Sequence, residues 1–359
     1  MLTLKRRHLT SAALGVLAMA AATGARASSS GFFATLGGSI SPVTSFNSAG
    51  GTNTVTILGT GRFQVVLPGL GNGENSDVQV NAFNTNGTPH ICTSQGWTSG
   101  NGVDVTAYVG CYDFSGNPYS GDFSLSYQSR TAATGGWAGF VWADEPTTAS
   151  YKPSSLYSYN NRGGVNKITR QSAGVYTVTF PKLEGGGNAQ VTAYSGFESG
   201  AAAHCEISNW TATGRPTTVG VACFDATGAP ADEYFDLSYN RSSLQSEGYT
   251  SGLYAYAYDP VTRRYKPQDH YTESGGITVK AARFGVPLGQ YSLTAENPGG
   301  RQPSPILGMV SAVGTGGEYC EVEGYDEFST SFDMNLVCYD SEERQTNLPY
   351  SGAMFFEGP

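Results

Sequence analysis

The chain has 359 residues, a formal charge of −9 and 14% charged residues, against roughly 25% in an ordinary soluble domain. Its 48 Gly have no three-residue period, which excludes a collagen-like chain, and its 22 Tyr and 17 Phe supply the apolar surface that a disordered chain lacks. No apolar run of about 20 residues follows the N-terminal segment, so the composition points to a soluble, largely β protein with no membrane span.

Residues 1–27 read as an export signal. Lys5, Arg6 and Arg7 form a basic start, residues 9–22 a weakly apolar stretch, and Ala25-Arg26-Ala27 a small-x-small cleavage site before Ser28. Arg6-Arg7-His8-Leu9-Thr10 is also similar to a twin-arginine signal, with Lys5 where Ser or Thr is usual, so general secretory and twin-arginine routes both stay open. Either route gives a secreted or periplasmic protein. Cleavage removes four basic residues and no acidic one, which takes the charge to −13. With no basic run beyond Arg263-Arg264, nucleic acid is excluded as a partner and an anionic membrane is opposed.

The remaining 332 residues form one repeat domain, 28–359, with copies at about 31–130, 137–243 and 250–357. Six cysteines mark the period as Cys92 and Cys111, Cys205 and Cys223, Cys320 and Cys338, 19, 18 and 18 residues apart within a pair. Around the second of each stand Val109-Gly110-Cys111-Tyr112-Asp113, Val221-Ala222-Cys223-Phe224-Asp225 and Leu336-Val337-Cys338-Tyr339-Asp340. In an exported chain this spacing predicts three disulfides, one per repeat. Zinc is a poor reading of the same cysteines, because there is no C-x-x-C and no paired histidine.

Other landmarks keep the period. Phe46-Asn47 before Gly50-Gly51 matches Tyr159-Asn160 before Gly163-Gly164, and Gly61-Arg62-Phe63 matches Gly174-Val175-Tyr176 and Gly289-Gln290-Tyr291. On Tyr157-Ser158-Tyr159-Asn160, Gly163-Gly164 and Tyr176-Thr177-Val178-Thr179-Phe180-Pro181 the chain resembles a group of secreted bacterial repeat proteins. That resemblance spans the whole exported part. It implies no activity and no site residues.

Each repeat divides into two halves of four short strands. In the second these are 139–143, 156–159, 166–171 and 175–183, then 189–194, 204–210, 217–224 and 234–239. Val219, Val221 and Cys223 alternate with Gly220, Ala222 and Phe224, the period of a strand. Six four-stranded units predict an all-β, six-bladed propeller of three two-blade repeats. The alternative is three tandem immunoglobulin-like β-sandwiches. The inner link Glu184-Gly185-Gly186-Gly187 is as glycine-rich as the outer link Thr134-Gly135-Gly136, which favours the ring of blades.

Few residues recommend chemistry. After the signal only His90, His204 and His270 remain, and no G-x-S-x-G elbow is present. Asp113 and Asp225 stand in D-x-[ST]-G-x-P, where an Asx turn is expected over Ca²⁺ ligation; Asp340 begins a divergent third copy. Trp97, Trp210 and Tyr325 each follow the first cysteine of a pair by five residues and read as packing positions. Trp137 and Trp142 lie on the first strand of the second repeat. Tyr254, Tyr256 and Tyr258 share one face of the corresponding strand in the third. Trp142, Glu145, Tyr254, Tyr256, Tyr258 and Asp259 are therefore the candidate binding residues, with no catalytic residue, metal or cofactor assigned. The function expected is a secreted, monomeric, non-enzymatic protein that binds a glycan or an extracellular protein through aromatic loops. An extracellular hydrolase on polysaccharide or peptide is the first alternative, since two carboxylates from distant loops leave no local motif. A passive envelope or matrix component is the second.

Overall fold

Strand alternation fixes which side chains are buried. In Val175–Phe180, Tyr176, Val178 and Phe180 point inward and the residues between them are half-exposed; Arg62–Leu67 repeats the pattern with Phe63, Val65 and Leu67. The computed structural model describes residues 29–35, 42–71, 76–98, 102–129, 136–195, 202–244, 251–273, 276–285, 287–296 and 304–357. The export signal at 1–27 lies outside them. All regular structure among the described residues is β, and no helix is long and apolar enough to cross a membrane.

The strands predicted in the second repeat are present, within a few residues of their expected ends. Their pairing is different from that of a propeller. Four strands, in the order Ser158–Asn160, Trp137–Ala143, Tyr234–Arg241 and Asn188–Tyr194, make one sheet that holds the first and last strands of the repeat. The other sheet runs Ser150–Tyr151, Lys167–Ser172, Val175–Phe180, Thr217–Asp225 and Ala203–Trp210. We term these the terminal sheet and the cystine sheet. Both contribute to a single core, with Val141, Phe235, Leu237 and Tyr239 from the first meeting Ile168, Tyr176, Phe180 and Val221 from the second. Two sheets closing on one core are a β-sandwich. The same division recurs in repeats 1 and 3.

The predicted six-bladed propeller is therefore corrected: no closed propeller is found among the described residues. A blade requires four consecutive strands to pair as one meander. Here each repeat sends strands from both of its halves into both of its sheets. The glycines of the inner link serve close packing. A Cβ at Gly185 would lie 2.5 Å from the Thr211 carbonyl, and Gly187, at φ 79°, packs on the Asn240–Arg241 backbone.

The sandwiches are joined edge to edge in a cycle. Tyr194, ending the terminal sheet of repeat 2, pairs in parallel with Ser94 on the cystine sheet of repeat 1. Phe83 of repeat 1 pairs likewise with Val322 of repeat 3, and Val313 of repeat 3 with Ile207 of repeat 2. Each join carries the same backbone bond: Ser195 N to Ser94 O at 3.0 Å, Asn84 N to Val322 O at 2.7 Å and Gly314 N to Ile207 O at 2.9 Å. Around the resulting pseudo-threefold axis, three equivalent side chains reach the preceding repeat. Thr192 Oγ1 accepts from Val80 N at 2.9 Å, Ser311 Oγ accepts from Val191 N at 3.0 Å, and Asn81 Nδ2 donates to Val310 O at 3.1 Å.

The repeated motifs take structural roles. Cys92–Cys111, Cys205–Cys223 and Cys320–Cys338 are disulfides, each between directly opposed residues of neighbouring strands. They fit an oxidising compartment, periplasmic or extracellular. Asn160 donates to Asn166 Oδ1 at 3.0 Å and to Pro181 O at 2.9 Å, and Asn47 does the same with Asn53 and Pro68. Gly61, Gly174 and Gly289 have φ of 65°, 69° and 74°. A Cβ at Gly174 would also lie 2.5 Å from Cys223 O. Gly163, at φ 67°, has open space where its Cβ would be. Gly163→Ala is expected to cost only left-handed strain, about 1 kcal/mol. Gly174→Ala is expected to cost about 1–3 kcal/mol more, because backbone must move. Denaturant titration of both variants reads the difference, and equal losses would refute the close-approach argument.

Candidate functional site

Each join carries an aromatic side chain set five residues after the first cysteine of a pair. Trp97 meets Tyr194 with centroids 6.2 Å apart, Tyr325 meets Phe83 at 5.6 Å, and Trp210 meets Tyr256 at 4.4 Å. At two joins the parallel edge pairing explains this meeting, since it lays the fifth residue beside Tyr194 or Phe83 at the end of the neighbouring strand; Trp210 instead reaches Tyr256 on Ser251–Ala257.

A group of five rings lies where repeats 1 and 2 join. Trp142 stands 5.1 Å from Tyr157, 5.2 Å from Tyr194, 6.3 Å from Trp97 and 6.5 Å from Tyr234. All but one of these contacts are edge-on or tilted; Trp142 and Tyr234 lie near-parallel. Trp97 is oriented by a bond from its Nε1 to Ser76 Oγ at 2.9 Å, whereas the shielded Nε1 of Trp142 has no acceptor. Trp97, Trp142, Tyr157 and Tyr194 line a cavity of about 30 Å³, room for a water and no more. All four keep part of their surface in solvent, and Tyr234 is 42% exposed. The group is thus a shallow platform of rings.

Acidic groups border it. Asp144 and Glu145 follow the end of Trp137–Ala143, and Glu233 precedes Tyr234–Arg241. Burial raises the carboxyl groups of Asp144 and Glu233 above the ordinary range, with Glu145 adding to the first and Asp225 and Asp232 to the second. Burial also pushes the Tyr194 hydroxyl up to about 12, helped by the carboxylate of Asp236. Tyr151 holds the chain at this end by accepting the Glu145 N–H at 3.2 Å.

The predicted binding residues fall in separate places. Trp142 is central to the platform and Glu145 is exposed beside it. Tyr256, Tyr258 and Asp259 occupy the corresponding position at the next join, where Tyr265 accepts the Asp259 N–H at 2.9 Å. Tyr258 is 6.3 Å from Tyr256 and 5.2 Å from Tyr265. Asp259 caps a turn, accepting from Thr262 Oγ1 and from the N–H groups of Thr262 and Val261, bonds that hold its carboxyl below the ordinary range. Tyr254 is buried, stacked on Tyr271 at 5.7 Å, and accepts the Ser242 N–H at 2.9 Å. Sequence reasoning passed over Tyr157, Tyr194 and Tyr234 as site residues. Tyr194 shares its repeat position with Phe83 and Val313, which is the signal that an interface lies there.

The other polar candidates have local partners. Asp113, Asp225 and Asp340 accept backbone N–H groups two or four residues on, as Asx turns do. His90 is buried with Nε2 2.8 Å from Asp122 O, and His204 places Nε2 3.0 Å from Gly317 O, a bond across repeats. Burial depresses the His204 imidazole to about 4. His270 lies on the short strand His270–Thr272. Among the described residues no three of His, Cys, Asp and Glu are placed to hold a metal ion. Comparison of the chain with family models, curated proteins and solved structures finds no match.

Proposed function

We propose that the protein is an exported binding protein that takes a glycan on the platform of Trp97, Trp142, Tyr157, Tyr194 and Tyr234. One observation carries this reading: five rings from two repeats converge around one partly exposed spot. Ring faces accept the C–H faces of a sugar, and the exposed Glu145 carboxylate beside them offers an acceptor to a hydroxyl. No cation is needed, which suits a neutral sugar. The disulfides support a site outside the cytoplasm, and the signal at 1–27 provides the route, general secretory or twin-arginine.

A glycan array probed with the full exported chain, followed by tryptophan-fluorescence titration with any oligosaccharide retained, tests the reading. Trp142→Ala and Tyr234→Ala are each expected to weaken binding by about tenfold, the worth of roughly one stacked ring. Phe284→Ala, which changes an exposed ring on repeat 3, is expected to leave it unchanged. Turnover of a glycosidase or esterase substrate that disappears in Glu145→Gln would instead establish the hydrolase reading. Retention of a protein partner with no glycan bound would replace the ligand class.

A further inference from the structure

The three joins share a second feature: each buries a carboxyl group without a basic partner. Between repeats 2 and 3, Glu206 is wholly buried and accepts the N–H groups of Gly317 and Glu318, both at 3.1 Å. The Glu318 carboxyl lies against it; a Cβ at Gly314 would be 3.1 Å from Glu206 Oε2 and 2.5 Å from Glu318 Oε2. Between repeats 3 and 1, Glu321 is wholly buried and accepts the His90 N–H at 2.7 Å. Its Oε2 and the side-chain amide of neighbouring Asn84 lie near each other without a well-formed hydrogen bond, and Asn84 partly offsets the burial that raises Glu321. Between repeats 1 and 2, Asp236 is wholly buried, neither oxygen has a donor, and the Asp77 carboxyl faces it.

The surroundings of these groups are acidic or neutral. Around Ala203–Trp210 the titratable side chains on packed strands are Asp225, Tyr194, Tyr319, Glu321, Glu323, Tyr325, Asp326 and Glu327, with Glu318 in the adjoining turn and His204 on the strand itself. Around Tyr319–Glu327 they are Asp333, Tyr339, Asp77, His204 and Glu206, with His90 in the adjoining turn and Glu323 on the strand itself. Around Tyr234–Arg241 they are Asp77 and Tyr194; Arg241, on the same strand, lies 3.7 Å from Glu184.

We propose that these carboxyl groups act as proton-held clasps: the ring is tightest when they are protonated and loosens at its joins, with the disulfide-stapled sandwiches intact, when they ionise. The proton has a place in two of the three. In Glu206 it bridges to Glu318, and on Glu321 it sits on Oε2, the oxygen that accepts no bond from His90. Burial raises Glu206 to about 9 and Glu321 to about 8, and raises Asp236 as well. In an opened join the same groups titrate near the ordinary glutamate value. Between the ordinary and the raised values the closed ring keeps protons that the open form sheds, so opening grows about tenfold per pH unit for each carboxyl. The stabilisation is complete below the ordinary value and is lost as pH rises through 8 and 9. His204 acts in the opposite sense. Its lowered value penalises the closed ring only as pH falls below the ordinary histidine range toward 4.

Amide hydrogen exchange on the full exported chain from pH 5 to 9, corrected for intrinsic rates, tests the clasps. The amides of Gly317, Glu318 and His90 report the joins, and Cys223 N, bonded to Gly174 O at 2.8 Å inside one sandwich, is the reference. The join amides are expected to lose at least about tenfold more protection than the reference across that range. In Glu206→Gln the loss is expected to vanish at Gly317 and Glu318 alone, and in Glu321→Gln at His90 alone, because the amide fixes the neutral form. Parallel loss at join and reference amides in the wild-type chain overturns the proposal without any variant. A wild-type slope in both glutamine variants overturns it as well.

Discussion

Replacing Cys205 and Cys223 together by alanine is expected to lower the unfolding free energy by about 3–5 kcal/mol. The bridge closes a loop of 18 residues, which constrains the unfolded chain by about 3 kcal/mol in the chain-entropy account. Cys223 is also wholly buried in the core shared by both sheets of repeat 2, so losing its sulfur leaves a void that adds to the cost. The bridge ties Ala203–Trp210 to Thr217–Asp225, and the first of these strands forms the join to repeat 3. Equilibrium denaturation of the exported variant beside the wild type measures the loss. A difference below about 1 kcal/mol would show that the ladder of Val178, Val219, Val221 and Ile207 holds these strands without the staple.

Asp236→Ser is expected to act in the other direction, raising stability by about 1–3 kcal/mol at pH 8. A buried polar group with no partner carries its full desolvation penalty, and both oxygens of Asp236 lack donors. The repeat shows what the position tolerates. Trp142 pairs with Asp236 on the neighbouring strand, and the equivalent Tyr256 pairs with Ser351, which accepts a 2.6 Å bond from Asn188. The place of Asn188 is taken at the first join by Asp77. A hydroxyl there donates to Asp77 where a second carboxyl repels it. Denaturation at pH 5 and pH 8 reads the gain, which is expected to be larger at the higher pH, where the penalty of keeping the carboxyl protonated grows. A loss of stability at both pH values would sink this account. Weaker glycan binding together with the gain would mark Asp236 as a residue whose strain serves the nearby platform.

Both expectations rest on the repeat, and the repeat was open to inspection in the sequence. Alternation of Val219, Val221 and Cys223 showed a strand with one face inward, because side chains on a strand reverse every residue whatever lies next to it. The cysteine spacing showed three disulfides, because three copies of one pattern select one pairing. The turn aspartates read as Asx turns because their partners lie two to four residues away. Each of these interactions closes within about 20 residues, the range over which spacing carries information.

Beyond that range the sequence determined little. Alternation says which residues of Asn188–Tyr194 share a face, and says nothing about which edge the strand meets; only tertiary structure placed it beside Ile91–Thr98 of another repeat. The same limit separated a propeller from sandwiches, since both bury the same alternate residues and differ in strand order alone. Glu206, Glu321 and Asp236 passed unnoticed because their partners lie in other repeats, 111 residues away for Gly317 and 231 for His90. The aromatic platform is split in the same way, with Trp97 on one repeat and Trp142, Tyr157, Tyr194 and Tyr234 on the next. The sequence by itself thus determined strands, turns and staples, which local geometry dictates. The tertiary structure decided the joins, because edge pairing between sandwiches depends on the shapes of whole sheets.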